Sequence, residues 1–345
     1  MSALALGTCA LGRAIDHDGL PLDGGSHLDG RRVDVALRVP RPGQRAGISE
    51  PCWTGVRAID GLLTIGRGAR IGIFGSPGAG KSTLIESIVQ GCRADAVVIA
   101  LVGERGREAR QWIDCVDART TIVCATSDRS PSERVRGAVV ALAHAAALRE
   151  RQLHVLVVID SLARLAGALR ERATARGESV GRGGYPASVF SDLARFVEVA
   201  GAVAGGSMTL VATVLNDGDD RDPVSDAARS VLDGHVALCD RLAGEGRFPA
   251  IDVSRSASRT MRGVVGAAHL RAAMRLRAAI ALLDRIADAR ALGIEPAEPS
   301  ARSAVAAEAR IERFLRQSTV PADPDATVAA LGELADTLEV SDGHQ

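Results

Sequence analysis

The segment Gly75-Ser76-Pro77-Gly78-Ala79-Gly80-Lys81-Ser82-Thr83 constrains the fold more tightly than any other part of the chain. It has the spacing G-x-x-x-x-G-K-[ST], follows the apolar run Ile71–Phe74 and opens a helical period over Ser82–Gln90. Glycines at this spacing let several backbone N–H groups face one point, and the helix N-terminus adds positive potential there. The combination reads as a phosphate-binding loop, with Lys81 reaching the β- and γ-phosphates and Ser82 ligating Mg²⁺. An accidental glycine turn is the competing reading. Against it, lysine occurs once among the 42 basic residues, at Lys81. Arginine can replace a surface lysine because both carry a cation on a flexible stem, but a planar guanidinium is a poor substitute where a compact ammonium is needed.

A strand–loop–helix unit implies further strands beside it. Between Ile48 and Met261 the runs Ala96–Val102, Thr121–Ala125, Val155–Ile159 and Met208–Leu215 alternate with helical stretches, which predicts an α/β fold with a parallel sheet covered on both faces. Residues 1–48 are rich in Gly, Asp, Arg and Pro, with β-type alternation over Val33–Val39, and are too polar for a core of their own. After Met261 the Ala-, Leu- and Arg-rich periods are broken by Pro296, Pro299, Pro321 and Pro324 and predict helices only. The expected organisation is a β-type segment and linker over 1–48, an α/β domain over 49–261 and a C-terminal helical domain over 262–345. The 42 basic and 42 acidic residues balance, which argues against a protein that holds nucleic acid mainly by charge. No apolar run approaches the roughly 18 residues of a membrane span, and Met1–Leu20 lacks a leader pattern, so a cytoplasmic location is expected. Cys9, Cys52, Cys92, Cys115, Cys124 and Cys239 form no C-x-x-C pair and read as reduced thiols buried as small hydrophobes. The histidines show no metal-ligand spacing, and His235 reads as structural.

Two carboxylates complete the chemistry. Asp160 ends the apolar run Leu153–Ile159, where a phosphate loop needs its second Mg²⁺ group; a solvated acid is the alternative. Glu104, in Gly103-Glu104-Arg105-Gly106-Arg107-Glu108, follows Ala96–Val102 and is placed to activate water at a γ-phosphate; a charged surface turn is the alternative.

Together with these, Gly55-Val56-Arg57-Ala58-Ile59-Asp60-Gly61-Leu62, Asp160-Ser161-Leu162-Ala163-Arg164, Gly184-Tyr185-Pro186, Asp222-Pro223-Val224, Leu232-Asp233-Gly234-His235, Phe248 to Val253 and Ser256 to Arg259 occur in an order that resembles the type III secretion ATPases, relatives of the rotary ATP synthase catalytic subunit. The resemblance implies a RecA-like P-loop NTPase core that binds ATP and Mg²⁺ and hydrolyses ATP to drive chaperone release and unfolding of export substrates. It implies that Gly75 to Thr83 cradle the nucleotide, that Glu104 is the catalytic carboxylate, and that Arg105 is a neighbouring ion-pair or phosphate-sensing group. Phe248 is similar to the aromatic that packs on adenine, the alternative being an ordinary core phenylalanine. Arg259 resembles an arginine finger that completes the neighbouring subunit's site, which implies a homo-oligomer, by analogy a hexamer. Tyr185 resembles a residue near the subunit contact, and Gly218-Asp219-Asp220 resembles the loop facing the ring's pore. Stalk and stator proteins and chaperone–effector complexes are the implied partners, with no nucleic acid and at most a peripheral place at the inner membrane.

Ala125 to Arg129 and Arg255 to Arg259 look more like injectisome than flagellar export ATPases. A flagellar export ATPase is the first alternative. A proton-translocating rotary synthase subunit is weakened because Leu282 to Pro299 lacks an acidic stalk-contact run, and an RNA helicase would need a basic pore loop. A non-catalytic assembly subunit is the last alternative. Relatives carry an N-terminal β-barrel, most of which this chain lacks, so the ring is expected to be weakened more than the chemistry. Gln111 to Thr121 is compressed, Ala163 stands in place of a usual threonine, and Ala187 in place of a second proline.

Overall fold

Runs of aliphatic residues bounded by glycine or acidic turns become the strands of one mostly parallel sheet in a computed structural model, which describes residues 3–215 and 222–339. The strands of this sheet are β1 (Arg13–Asp16), β2 (Arg70–Gly75), β3 (Ala96–Val102), β4 (Thr120–Ala125), β5 (His154–Asp160), β6 (Gly201–Val203), β7 (Gly206–Leu215), β8 (Gly234–Leu238) and β9 (Ile251–Ser258). Their order is β9-β8-β2-β7-β5-β3-β4-β1, with β6 paired antiparallel to β7. Every residue of β3, β4 and β5 is buried, as expected for parallel strands covered on both faces.

The chain divides into two compact units. The first comprises Met1–Ile48, Arg67–Pro77 and Ala94–His235. Its core joins alternate residues of β3, β5 and β7 to the alanine-rich helix Pro131–Arg149, whose small side chains allow close approach to the sheet. That helix starts where the S-x-x-E pattern predicts: Ser130 and Glu133 cap each other reciprocally, with Pro131 in the first turn. The Leu232-Asp233-Gly234 motif anchors the start of β2, since Asp233 accepts hydrogen bonds from the Arg70 backbone N–H (3.0 Å) and from its Nε (2.9 Å).

The N-terminal segment is built into this unit. Strand β1 lies parallel to β4 at the sheet edge, and Leu6 and Ile15 enter the core. A buried relay fastens it: the Gly7 N–H donates to His144 Nδ1 (3.1 Å), so His144 carries its proton on Nε2 and donates to Thr121 Oγ1 (3.0 Å), which donates to the Ala10 carbonyl (2.6 Å). Burial pushes the His144 imidazole down to about 4. A group depressed in the folded state gives stability that is present above its unfolded value and lost as pH falls through the folded one. We therefore expect the first unit to lose about 2 kcal/mol between pH 7 and pH 4.5 through His144. Denaturant unfolding at the two pH values should show this, and His144→Gln, which takes up no proton, should flatten that slope.

The second unit comprises Ser49–Gly66, Gly78–Arg93 and Val236–Gln345. Strand β8 continues into it and pairs with β9, and the described residues after Met261 form helices, the longest being Ala267–Ala291, Pro299–Leu315 and Pro324–Ala335. Two of the prolines that break the sequence pattern start helices, where a missing N–H costs nothing. Asp60 organises the turn before the first helix of this unit, accepting hydrogen bonds from Thr54 N–H (2.8 Å), Thr54 Oγ1 (2.7 Å) and Gly55 N–H (2.8 Å). Its burial pushes the carboxyl up to about 6 against those three donors. Among the described residues no helix is long and apolar enough to cross a membrane. Gly218, Asp219 and Asp220 lie outside the described residues.

Candidate active site

In the first unit, β2, β7, β5 and β3 run parallel, and their register brings their carboxyl ends to one edge: Gly75 lies beside Leu215, Ile159 beside Ala212, and Asp160 beside Leu101. Ligands of open parallel sheets bind at such an edge. Asp160 is buried there, and Thr213 Oγ1 donates to its Oδ1 (2.7 Å).

Glu104 stands two residues beyond β3 and is only 5% exposed. Gly103, at φ +70°, makes the left-handed turn that redirects the chain, and the stems of Arg134 and Arg164 flank it. The Glu104 Oε1 is ion-paired with Arg164 Nη1, while Oε2 is buried with no hydrogen-bond partner among the described residues. An unsatisfied buried acceptor costs about 1–3 kcal/mol. A water or substrate hydroxyl would satisfy it.

Arg164 is the residue that sequence reasoning left without a role. It lies in the first turn of the helix Leu162–Ala175, and Ser161, the N-cap, accepts its backbone N–H (3.2 Å). The guanidinium is thus held at a fixed distance along the chain from Asp160 while it pairs with Glu104. The usable signal was electrostatic: a cation in the first turn of a helix opposes the macrodipole and so needs an anionic partner. Arg105 is exposed and forms the N-terminal boundary of the helix Gly106–Asp114, so the ion pair of Glu104 goes to Arg164. Arg164→Ala should destabilise the first unit by about 2 kcal/mol, less than for a fully buried pair because the arginine side chain is a third exposed. Urea unfolding measures this, and Arg164→Lys should recover part of the loss.

The loop leaves β2 at Gly75 and continues into the second unit, where Gly78 (φ +87°) and Gly80 (φ +91°) take left-handed conformations that a side chain would strain. Gly80 is the N-cap of the helix Lys81–Gly91, and among the described residues no side chain caps its N-terminus. The first turn carries Lys81, Ser82 and Thr83, the two hydroxyl residues being exposed. This is the geometry of an anion site at a helix N-terminus. Elsewhere in the second unit Phe248 is 53% exposed, so it is not a core residue, and its backbone carbonyl is tied to the Gln317 N–H (2.8 Å). Arg259 follows β9, is exposed, and has no ion-pair partner among the described residues. In the first unit Tyr185 is half-buried under the Arg170 guanidinium, 5.0 Å from the ring centroid.

Residues 55–258 match the ATP synthase alpha/beta family, nucleotide-binding domain, and the chain belongs to that family of ATP-binding enzymes. It is 43% identical over 330 residues to a type 3 secretion system ATPase of Sinorhizobium fredii, covering 92% of this chain and 72% of the relative. It is 40% identical over 325 residues to a flagellum-specific ATP synthase of Salmonella typhimurium, covering 91% and 71%. Among solved structures, the assembled ATPase EscN of the enteropathogenic E. coli type III secretion system superposes with a TM-score of 0.92 at 39% identity, over 96% of this chain and 83% of that one. A prototypical ATPase from the type III secretion system of pathogenic bacteria matches with a TM-score of 0.88 over 97% of this chain and 100% of that one. Within the family, the chain belongs with the type 3 secretion ATPases and hydrolyses ATP in type 3 secretion.

Proposed function

We propose that each subunit binds MgATP on the loop Gly75 to Thr83 and hydrolyses it with Glu104 as general base, to release chaperones from secretion substrates and unfold them. The observation that carries this is the Glu104 carboxylate, buried, oriented by Arg164 and with one oxygen lacking a donor among the described residues. Backbone N–H groups of the loop and the Lys81 ammonium hold the β- and γ-phosphates, and Phe248 offers an exposed ring to the adenine. Ser82 and Asp160 supply hard oxygen donors suited to Mg²⁺, whose chemistry is to neutralise charge on the β- and γ-oxygens. A metal held mostly by nucleotide phosphates needs no larger carboxylate cluster, and among the described residues no group of three or more His, Cys, Asp or Glu is placed to hold a metal ion. Glu104 orients a water for in-line attack on the γ-phosphorus and accepts its proton. Arg105 stands at the start of the next helix as a phosphate-sensing cation.

Arg259 acts in the site of the next subunit, in a ring read as a hexamer, where its guanidinium stabilises charge developing on transfer. Its exposure and lack of an ion-pair partner among the described residues support this reading. EscN has been solved in complex with its central stalk, EscO. We extend a stalk partner to this chain, together with stator proteins and chaperone–effector complexes at the cytoplasmic face of the secretion apparatus. Leu292 (80% exposed) and Ile294 (58% exposed), between the helices Ala267–Ala291 and Pro299–Leu315, offer an apolar tip for such a contact. The test is concentration dependence: hydrolysis per subunit should rise with protein concentration, and Arg259→Ala should abolish the rise while nucleotide binding persists. Full turnover by a dilute monomer overturns the shared site.

A further inference from the structure

The fold brings together two thiols that stand 40 residues apart in the chain. Cys52 Sγ and Cys92 Sγ are 3.6 Å apart, and each residue is only 2% exposed. Cys92 is the first residue beyond the phosphate-loop helix Lys81–Gly91, and Cys52 ends the short strand Pro51–Cys52, both in the second unit. The backbones there are already in contact: a Cβ on Gly91 would stand 2.4 Å from the Thr54 carbonyl oxygen and 2.9 Å from the Gly55 Cα.

We propose that Cys52 and Cys92 form a redox pair, which hydrogen peroxide oxidises to an intramolecular disulfide tying the far end of the phosphate-loop helix to the segment before Gly55. The thiolate of one cysteine attacks a peroxide oxygen. The O–O bond breaks, the second oxygen leaves as water with the thiol proton, and a sulfenic acid remains. The second sulfur then attacks the sulfenic sulfur, the S–O bond breaks, and hydroxide leaves as water with the second thiol proton. Two thiols and one peroxide thus give one disulfide and two waters. An oxidant close to water in size suits thiols as buried as these, and the adjacent second thiol intercepts the sulfenic acid before further oxidation. Bonding requires the sulfurs to close by about 1.5 Å, to the ordinary S–S length. The helix end must shift, and the other end of the same helix carries Lys81, so turnover falls. This last step rests on the ATPase reading above; the bond itself does not.

The test uses the full chain with Cys115→Ser, which removes the exposed thiol. After hydrogen peroxide treatment the protein is denatured, alkylated and cut with trypsin, which places Cys52 in Ala46–Arg57 and Cys92 in Ser82–Arg93, each without another cysteine. The expected result is a crosslink joining these two peptides, with equal loss of both from the alkylated pool and recovery by dithiothreitol. ATP hydrolysis should fall with the crosslink and return on reduction, while the added change Cys52→Ala should keep hydrolysis through the same treatment. Full alkylation of both peptides, or sulfinic acid at either without a crosslink, overturns the redox pair. A crosslink with undiminished turnover overturns its control of the helix. A protein that never hydrolyses ATP refutes the ATPase reading, with the crosslink still read from the peptides.

Discussion

Glu104→Gln should leave nucleotide binding intact and lower turnover by about 10²–10⁴-fold, the usual scale for loss of a general base. Glutamine keeps the length and planarity of the side chain and can still offer an oxygen to Arg164, so the turn after β3 should keep its shape. What it cannot do is take a proton from water. The buried setting makes the effect large: Oε2 has no competing donor among the described residues, and its burial keeps bulk water from substituting for it. Titration with a fluorescent nucleotide and steady-state phosphate release measure the two halves separately. Undiminished turnover would remove Glu104 from the proposed role. Weakened binding with unchanged turnover at saturation would recast it as a binding residue.

Lys81→Arg should lower kcat/KM by about 10²–10³-fold, the scale of losing one preorganised donor at a developing negative charge. The substitution keeps the charge, so any loss comes from geometry. A guanidinium is planar and wider than an ammonium, and the loop around it is held by glycines at φ +87° and +91° that leave its path little freedom. In a chain whose other basic side chains are all arginine, normal hydrolysis by this variant would make the solitary lysine a coincidence.

What was legible in the sequence followed chain continuity. The loop could be read because strand, glycines, Lys81 and helix are consecutive, and Asp160 because it ends an apolar run. The parallel sheet followed from strands alternating with helices. Contacts between distant segments were less accessible. Arg164 sits only four residues beyond Asp160, yet its partner Glu104 comes from a different strand; its place in the first turn of a helix says that it needs an anion but not which one. Val33–Val39 alternates like a strand, but only Arg32–Asp34 forms one, while Arg13–Asp16 joins the central sheet because β4 offers it an open edge. Phe248 had two readings of similar weight in the sequence, and its exposure speaks against the core one. Cys52 and Cys92 fit no spacing rule, since their proximity follows from the packing of Gly91 on Thr54 and Gly55.

The solitary lysine gives the molecule a chemical address. An amine-directed acylating reagent has one side chain to modify, apart from the chain's own amino terminus, and a lysine-specific protease has a single peptide bond to cut. Both report on the residue proposed to hold the phosphates, so protection of Lys81 would follow nucleotide occupancy without any engineered probe.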